Sequence, residues 1–154
     1  MKSDAQIIEG LNKYLAFELT GHKQYLLHGS LCRHWGFEKL AATQLAYSEE
    51  ETRHAGEIMA RILLLDGVPG MEERRAPVGG QTVREQLEND VRLVSDAIDH
   101  LRATIGVCEK ARDYVSRDLL GTMLADEELH LDGLETELEL IGKVGQENYL
   151  QAKL

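Results

Sequence analysis

A stretch rich in proline, glycine and charge divides the chain, and residues 66–82 read DGVPGMEERRAPVGGQT. It holds Pro69 and Pro77, the only two prolines among 154 residues. Because proline and glycine interrupt helices, the segment from about Gly67 to Gly80 predicts a break. A break of about a dozen residues exceeds the usual turn between helices. It therefore predicts a crossover connection that runs along a helical bundle.

Apolar residues recur every three or four positions on both sides of this break, which is the period of an amphipathic helix. The pattern predicts two long helices before the break and two after it, with short turns near Gly36 and at 111–113. A short fifth helix is expected near the C-terminal end. The predicted bounds are 4–33, 38–66, 82–110, 113–142 and 146–152. The sequence thus predicts an all-α four-helix bundle, formed as one domain over residues 1–154.

Composition and charge exclude several classes of protein. With 43% hydrophobic and 29% charged residues, the chain is neither disordered nor embedded in a membrane. No stretch approaches the ~18 uninterrupted apolar residues of a spanning helix, so we expect no membrane partner. The formal net charge of -10 disfavours nucleic acid and favours cations. Cys32 and Cys108 fit no metal or redox motif, and MKSDAQIIEGLNKYL at 1–15 has no apolar run of signal-peptide length. We therefore expect reduced thiols in a cytoplasmic protein.

Five polar residues interrupt the apolar stripes near the middle of the predicted helices. They are Glu18 on the first helix, Glu51 and His54 on the second, and Glu127 and His130 on the fourth. A carboxylate that faces a bundle core is costly unless it is neutralised, paired or bound to a cation. The five residues therefore predict a shared cation site. A buried hydrogen-bonded cluster or a pH-sensitive cluster is the alternative interpretation.

Four of these residues form two Glu-x-x-His pairs, E51-T-R-H54 and E127-E-L-H130. Residues three positions apart lie on the same face of a helix. The spacing alone is a weak signal, but it gains weight because both pairs lie on buried stripes and the first helix adds Glu18. Ferritin-like di-iron bundles combine two such helices with single glutamates from others. Carboxylate oxygens and imidazole nitrogens together suit iron, so the set predicts a di-iron centre.

The chain resembles the bacterioferritins over essentially its whole length. The matching stretches are HWGFEKL at 34–40, RILLLDGVP at 61–69, DYVSRDLL at 113–120, DEELH at 126–130, LETELELI at 134–141 and NYLQA at 148–152. Several of them lie outside the predicted metal site. The resemblance implies a ferritin-like subunit with a short fifth helix, in a hollow shell of twenty-four subunits. Such a shell oxidises Fe(II) with dioxygen or peroxide and stores the iron as ferric mineral.

The resemblance also implies a role for each predicted ligand. Glu18 corresponds to the terminal carboxylate of the first iron and His54 to the imidazole of that iron. Glu51 and Glu127 correspond to the bridging carboxylates. His130 corresponds to the imidazole of the second iron. These five residues are therefore the expected ferroxidase and metal-binding residues.

One family ligand is missing from this sequence. The terminal carboxylate of the second iron, expected on the third helix, is replaced by Val94. The rest of that helical stripe is also expected to be apolar. Asp90 lies one turn earlier and is too short to substitute easily, and His22 is a candidate replacement ligand or a core histidine. The missing ligand puts the ferroxidase activity of a homo-oligomer in question.

The sequence departs from the bacterioferritin pattern at two further places, the haem ligand and the inner surface of the shell. The methionine that ligates haem in the family corresponds to Thr52, which has no thioether, and Met59 two turns later is expected to pack. Haem is therefore not expected in a shell of this chain alone. A family histidine on the inner surface corresponds to Ala46, and its acidic companion corresponds to Glu50.

Two functional hypotheses follow. In the first, the chain is a ferroxidase subunit that tolerates Val94 and stores iron, with a ferredoxin-like reductant as a possible partner for iron release. In the second, it is a structural shell subunit with weak or no oxidase activity. It then co-assembles with a complete, haem-binding bacterioferritin subunit as a mixed oligomer.

Overall fold

A computed structural model describes residues 1–154 and contains five helices and no strands. The helices are α1 (Ala5–His34), α2 (Glu38–Leu64), α3 (Val83–Ala111), α4 (Tyr114–Val144) and α5 (Gln146–Gln151). Each observed end lies within two residues of its predicted position. The predicted all-α class, the long connection between α2 and α3 and the short fifth helix are confirmed.

Local capping explains where these helices begin and end. Asp4, Thr82 and Asp113 accept hydrogen bonds from backbone N–H groups two or three residues later, which satisfies donors that the first helical turn leaves free. Between α1 and α2 the chain turns at Gly36, where φ is +90°, a value that favours glycine. Between α3 and α4 it turns at Arg112, where φ is 59°.

Contacts along the bundle fix the directions of α1 and α2. Glu18 of α1 contacts His54 of α2. One turn later along α1, His22 contacts Ser48, which precedes His54 in α2. The two helices are therefore antiparallel.

The third helix also runs antiparallel to α1. Phe17 of α1 lies beside His100 of α3, with 5.8 Å between ring centroids. Gln24 lies later along α1 than Phe17, and it donates a hydrogen bond to Asp90, which precedes His100 in α3. Because α2 and α3 both oppose α1, they run parallel to each other, and the long connection is the predicted crossover.

The core consists of two apolar clusters, one toward each end of the bundle. The first includes Leu11, Ile58, Leu101 and Leu120, and the second includes Leu40, Leu87, Val94 and Leu134. Along α2 and α4 the predicted polar residues lie between these clusters, and Glu18 of α1 lies between Phe17 and Tyr25 of the first cluster. They therefore sit near the middle of the bundle, where apolar packing surrounds them on both sides.

The expectation of an apolar stripe along the whole of α3 was wrong. Gln86, Asp90 and Thr104 are buried on this helix. Each has a polar partner in the structure, including the thiol of Cys32 beside Gln86 and the backbone carbonyl of His100 beside Thr104. Such partners offset the cost of burying a polar group.

Asp90 holds the crossover against the bundle. Its side chain is 0% exposed and accepts hydrogen bonds from Gln24, Gln44 and His28 at 2.8 to 3.1 Å. The other ring nitrogen of His28 donates to the carbonyl of Val78 at 2.8 Å. This network ties α1, α2 and α3 to the end of the crossover, and it occupies Asp90 fully.

The fifth helix packs against α4. Tyr149 of α5 is buried and donates a hydrogen bond to Glu137 of α4.

Both cysteines are reduced and buried. Cys32 and Cys108 are free thiols, and burial raises the pKa of each to about 11. None of the helices combines the length and apolarity needed to cross a bilayer.

Candidate metal centre

Four of the five predicted ligands converge in the middle of the bundle. Glu18 of α1, Glu51 and His54 of α2 and Glu127 of α4 are all buried. Each offers one oxygen or nitrogen atom, and these four atoms lie within 4.8 Å of one another. Three helices thus supply three carboxylates and one imidazole to one small volume, and α3 supplies no ligand.

A glycine on α1 makes room for one of the carboxylates. A Cβ atom at Gly21 would lie 3.1 Å from Oε2 of Glu51 and 3.2 Å from the ring of Tyr25. Any larger side chain at this position would press against the carboxylate. Gly21 therefore allows Glu51 to lie between α1 and α2.

Two carboxylates hold the ring of His54. Its Nδ1 lies 3.1 Å from Oε2 of Glu18, and its Nε2 lies 3.0 Å from Oδ2 of Asp126. A carboxylate on the outer nitrogen of a histidine fixes the ring and its tautomer, as it does behind many metal ligands. With Nε2–H donating to Asp126, Nδ1 is the atom that can turn its lone pair toward a cation.

Sequence analysis did not identify Asp126. Its only local signal is its position directly before Glu127, and the helical period alone places it beside the buried stripe rather than on it. The contact with His54 depends on how α4 packs against α2.

Burial and mutual repulsion govern the protonation of the carboxylates. Burial, followed by the charges of Glu18 and its acidic neighbours, raises the pKa of Glu51 and of Glu127 well above the usual range. Tyr14 opposes this effect at Glu127, because its hydroxyl donates to Oε1 at 3.3 Å. Burial lowers the pKa of His54, but the hydrogen bond and charge of Glu18 and the hydrogen bond of Asp126 outweigh this effect, so the net pKa is raised.

The donor set fits a divalent cation. Oε1 of Glu18 is buried and has no hydrogen-bond partner. A buried carboxylate oxygen without a partner, beside two further buried carboxylates, is stabilised when a cation binds next to it. Hard oxygen ligands with one imidazole are suited to Fe(II) and similar ions.

His130 lies outside this group, although it is buried on the same face of α4. Neither ring nitrogen accepts or donates a hydrogen bond within the protein, and Nε2 is fully buried. Burial lowers the pKa of His130 to about 4, which keeps the ring neutral. Val94, where the resemblance implies a carboxylate, is 1% exposed and packs in the second apolar cluster.

The two candidate replacement ligands also lie outside the group. Nδ1 of His22 lies 2.9 Å from the hydroxyl oxygens of both Ser48 and Thr52, so this ring is engaged with α2. Asp90 is engaged in the crossover network. Neither residue compensates for Val94 in this arrangement.

A second acidic group lies beside His54, toward the surface. Glu50, Asp126 and Nε2 of His54 bring their ligand atoms within 4.8 Å of one another. The guanidinium of Arg53 lies 3.7 Å from Glu50 and 3.8 Å from Asp126. Arg53 thus already supplies positive charge there. Ala46, one turn before Glu50 on α2, is exposed and offers no ligand.

Comparison with known proteins gives a consistent assignment. The ferritin-like domain family matches residues 8–144. The chain is 44% identical to the bacterioferritin BfrA of Mycobacterium tuberculosis over 149 residues, which cover 97% of this chain and 94% of the relative. It is 43% identical to the bacterioferritin of Streptomyces coelicolor (97% and 90% covered) and 40% identical to that of Brucella melitensis (98% and 94% covered). The chain therefore belongs to the bacterioferritin family of ferritin-like proteins.

Proposed function

We propose that the chain is an iron-storage subunit of a bacterioferritin-type shell that binds Fe(II) inside its helical bundle and oxidises it. The observation that carries this proposal is the convergence of three buried carboxylates and one imidazole, with one carboxylate oxygen left without a partner. The 40–44% identity to proteins named bacterioferritin supports the same function.

In this proposal Glu18 and His54 are terminal ligands of the first iron. Glu51 and Glu127 would be shared by the two irons, and His130 would bind the second. Asp126 keeps the proton of His54 on Nε2, which frees Nδ1 for the metal. Each Fe(II) gives one electron to dioxygen or peroxide, and the apolar clusters at both ends restrict the access of water to the site.

The second metal position is weaker than the first. Val94 contributes no carboxylate, and His130 lies outside the ligand group. This asymmetry supports the alternative hypothesis, in which the chain is a structural shell subunit with weak or no ferroxidase activity. Such a subunit would co-assemble with a complete, haem-binding bacterioferritin subunit.

The residues present do not fit haem. Thr52 is exposed at the position of the family methionine, and its hydroxyl contacts Nδ1 of His22 at 2.9 Å. A hydroxyl is a far weaker ligand for haem iron than a thioether. A subunit pair made of this chain alone is therefore proposed to lack haem.

Assembly into a shell is part of the proposal. Large apolar side chains are exposed on the isolated subunit, among them Leu63, Leu64, Val68, Met71 and Leu129. Contact with neighbouring subunits would cover such residues. The proposed setting is the cytoplasm, where both cysteines stay reduced, and a ferredoxin-like reductant would release stored iron.

Rapid mixing of the purified homo-oligomer with Fe(II) and oxygen distinguishes the two hypotheses. A fast absorbance phase that saturates at about two irons per subunit supports a ferroxidase. Slow uptake without a saturable phase supports the structural subunit. Light scattering on the same sample gives the mass of the assembly, and a mass near one subunit would contradict the shell.

A further inference from the structure

An aromatic stack holds His130, the predicted ligand that lies apart from the others. The ring of Tyr47 on α2 covers the imidazole of His130 on α4, with 3.6 Å between centroids and 28° between planes. The edge of a second ring, Tyr25 of α1, lies at 5.1 Å and 67°. The imidazole is thus enclosed by aromatic rings from two other helices.

The two candidate metal-binding histidines are held in different ways. His54 is held by hydrogen bonds to carboxylates at both ring nitrogens. His130 has no hydrogen bond to the protein at either nitrogen. Ring packing alone therefore determines its orientation, and Tyr47 supplies the closest of these contacts.

Tyr47 lies on the same face of α2 as the ligand Glu51. It precedes Glu51 by four residues, which is one helical turn. The ring is half-buried, and its hydroxyl lies over Gly133 of α4, where a Cβ atom would be 3.4 Å away. Tyr47 packs against the first apolar cluster, which holds its ring in place over His130.

From this geometry we infer that Tyr47 is a positioning residue that holds His130 away from the other four ligands. The centre then takes up metal in two unequal steps. The first ion binds to Glu18, Glu51, His54 and Glu127, and the second binds only when His130 leaves the stack. The inference rests on the proposed function, because it assigns metal binding to these residues.

Zinc titration of the metal-free homo-oligomer tests the inference without oxidation chemistry. Tyr47→Leu removes the aromatic ring, and Tyr47→Phe is the matched control that keeps it. An aromatic pair of this kind changes affinity by about 3- to 10-fold. We expect Tyr47→Leu to tighten the second zinc step by that factor and to leave the first unchanged, whereas Tyr47→Phe behaves as the wild type.

Crystals soaked in limiting and in excess zinc provide a readout of the ring itself. Anomalous diffraction should show one ion per wild-type subunit at limiting zinc, with His130 still stacked. In Tyr47→Leu, His130 should turn toward the second ion at a lower zinc concentration. In a His130→Ala background, Tyr47→Leu should have no effect on either step.

The results separate failure of the inference from failure of the proposed function. If no zinc binds at the four-ligand group in any variant, the proposed metal centre itself is wrong. If the first ion binds there but Tyr47→Leu and wild type have the same second step, or both lack one, Tyr47 does not position His130. An equal tightening of the second zinc step in Tyr47→Leu and Tyr47→Phe would also overturn the inference, since the ring stack would not be the cause.

Discussion

Nδ1 of His54 lies 3.1 Å from Oε2 of Glu18, and both side chains are buried. With Asp126 on the other nitrogen, the imidazole faces a carboxylate on each side. In the metal-free protein a proton on Nδ1 therefore takes the place that a cation would occupy between His54 and Glu18. Metal binding has to displace this proton, so protons and metal compete for the same buried site.

This competition predicts that the buried acids of the metal-free protein cost stability as pH rises. The raised pKa values of Glu51, Glu127 and His54 mean that these groups bind more protons in the folded state than in the unfolded chain. Their ionisation therefore favours unfolding above the unfolded carboxyl pKa of about 4.3. His130 acts in the opposite sense below about pH 6.5, because burial lowers its pKa to about 4. We therefore expect Glu51→Gln, which removes one buried acid and keeps His130, to become more stable relative to the wild type between about pH 5 and pH 8.

Thermal melts of the chelator-treated protein measure this effect. Zinc should stabilise the wild type more as pH rises, because its ligands bind best when deprotonated. The melting temperature of metal-free Glu51→Gln should increase relative to that of the wild type as pH rises, because the variant has one buried acid fewer. A difference between the two melting temperatures that stays constant from pH 5 to pH 8 would contradict the prediction.

Replacement of Asp126 should lower the metal affinity of the buried centre, although Asp126 is not proposed as a ligand of the ion. Asp126→Ala leaves Nε2 of His54 without its carboxylate acceptor. Loss of such a partner typically costs 10- to 100-fold in metal affinity. Zinc affinity by calorimetry is the measurement, and Asp132→Ala, at an exposed acid on the same helix, is the matched control. Equal affinities in the two variants would exclude a positioning role for Asp126.

Asp90 should contribute to stability rather than to metal binding. Asp90→Ala leaves the side chains of Gln24, Gln44 and His28 without their shared acceptor. Breaking such a buried network costs about 3–5 kcal/mol. Chemical denaturation should show this loss, and proteolysis should cut the crossover faster. Zinc affinity of the folded variant should stay close to that of the wild type, and a large loss would indicate that Asp90 serves the metal site.

The helices were predictable because their signals are local. Apolar periodicity defines α1 to α4, and Pro69 and Pro77 lie in the crossover, so each end could be placed within two residues. The burial of Glu18 and Glu51 follows from the same periodicity. Their convergence depends on helix packing, and the structure places these two side chains together.

What could not be predicted depends on contacts between helices. Asp126 lies beside the buried stripe of α4 and Tyr47 lies on the stripe of α2, but the relevance of each comes from a histidine on another helix. The polar role of Asp90 was missed because its three partners come from α1 and α2. Nor does the Glu-x-x-His spacing of His130 reveal that an aromatic stack holds the ring.

Haem binding should be absent from shells made of this chain alone. Thr52 offers a hydroxyl where a thioether is needed, so protein reconstituted with haem should show no Soret band after gel filtration. Thr52 is exposed, so Thr52→Met should be tolerated and should gain a Soret band. Thr52→Leu is the control for added apolar bulk. A stable Soret band from the wild type would show that another residue ligates haem.

Val94→Glu should restore the second metal position. A carboxylate here would join Glu51, Glu127 and His130 around the second ion. In the metal-free protein the new charge lies in an apolar cluster, and we expect a loss of about 2–4 kcal/mol in stability. Zinc should recover most of this loss only in Val94→Glu. Val94→Met, of similar length but without a ligand atom, should lose about 1–3 kcal/mol by overpacking, and zinc should not recover this loss.

Rapid mixing with Fe(II) and oxygen then tests whether the missing carboxylate limits oxidation. If Val94 is the main defect, Val94→Glu should show a fast phase of about two irons per subunit, and Val94→Met should not. The phase should be faster still when Tyr47→Leu is added, because His130 is then free to reach the second ion. A Val94→Glu protein that binds two zinc ions yet oxidises iron as slowly as Val94→Met would show that a different step limits the reaction.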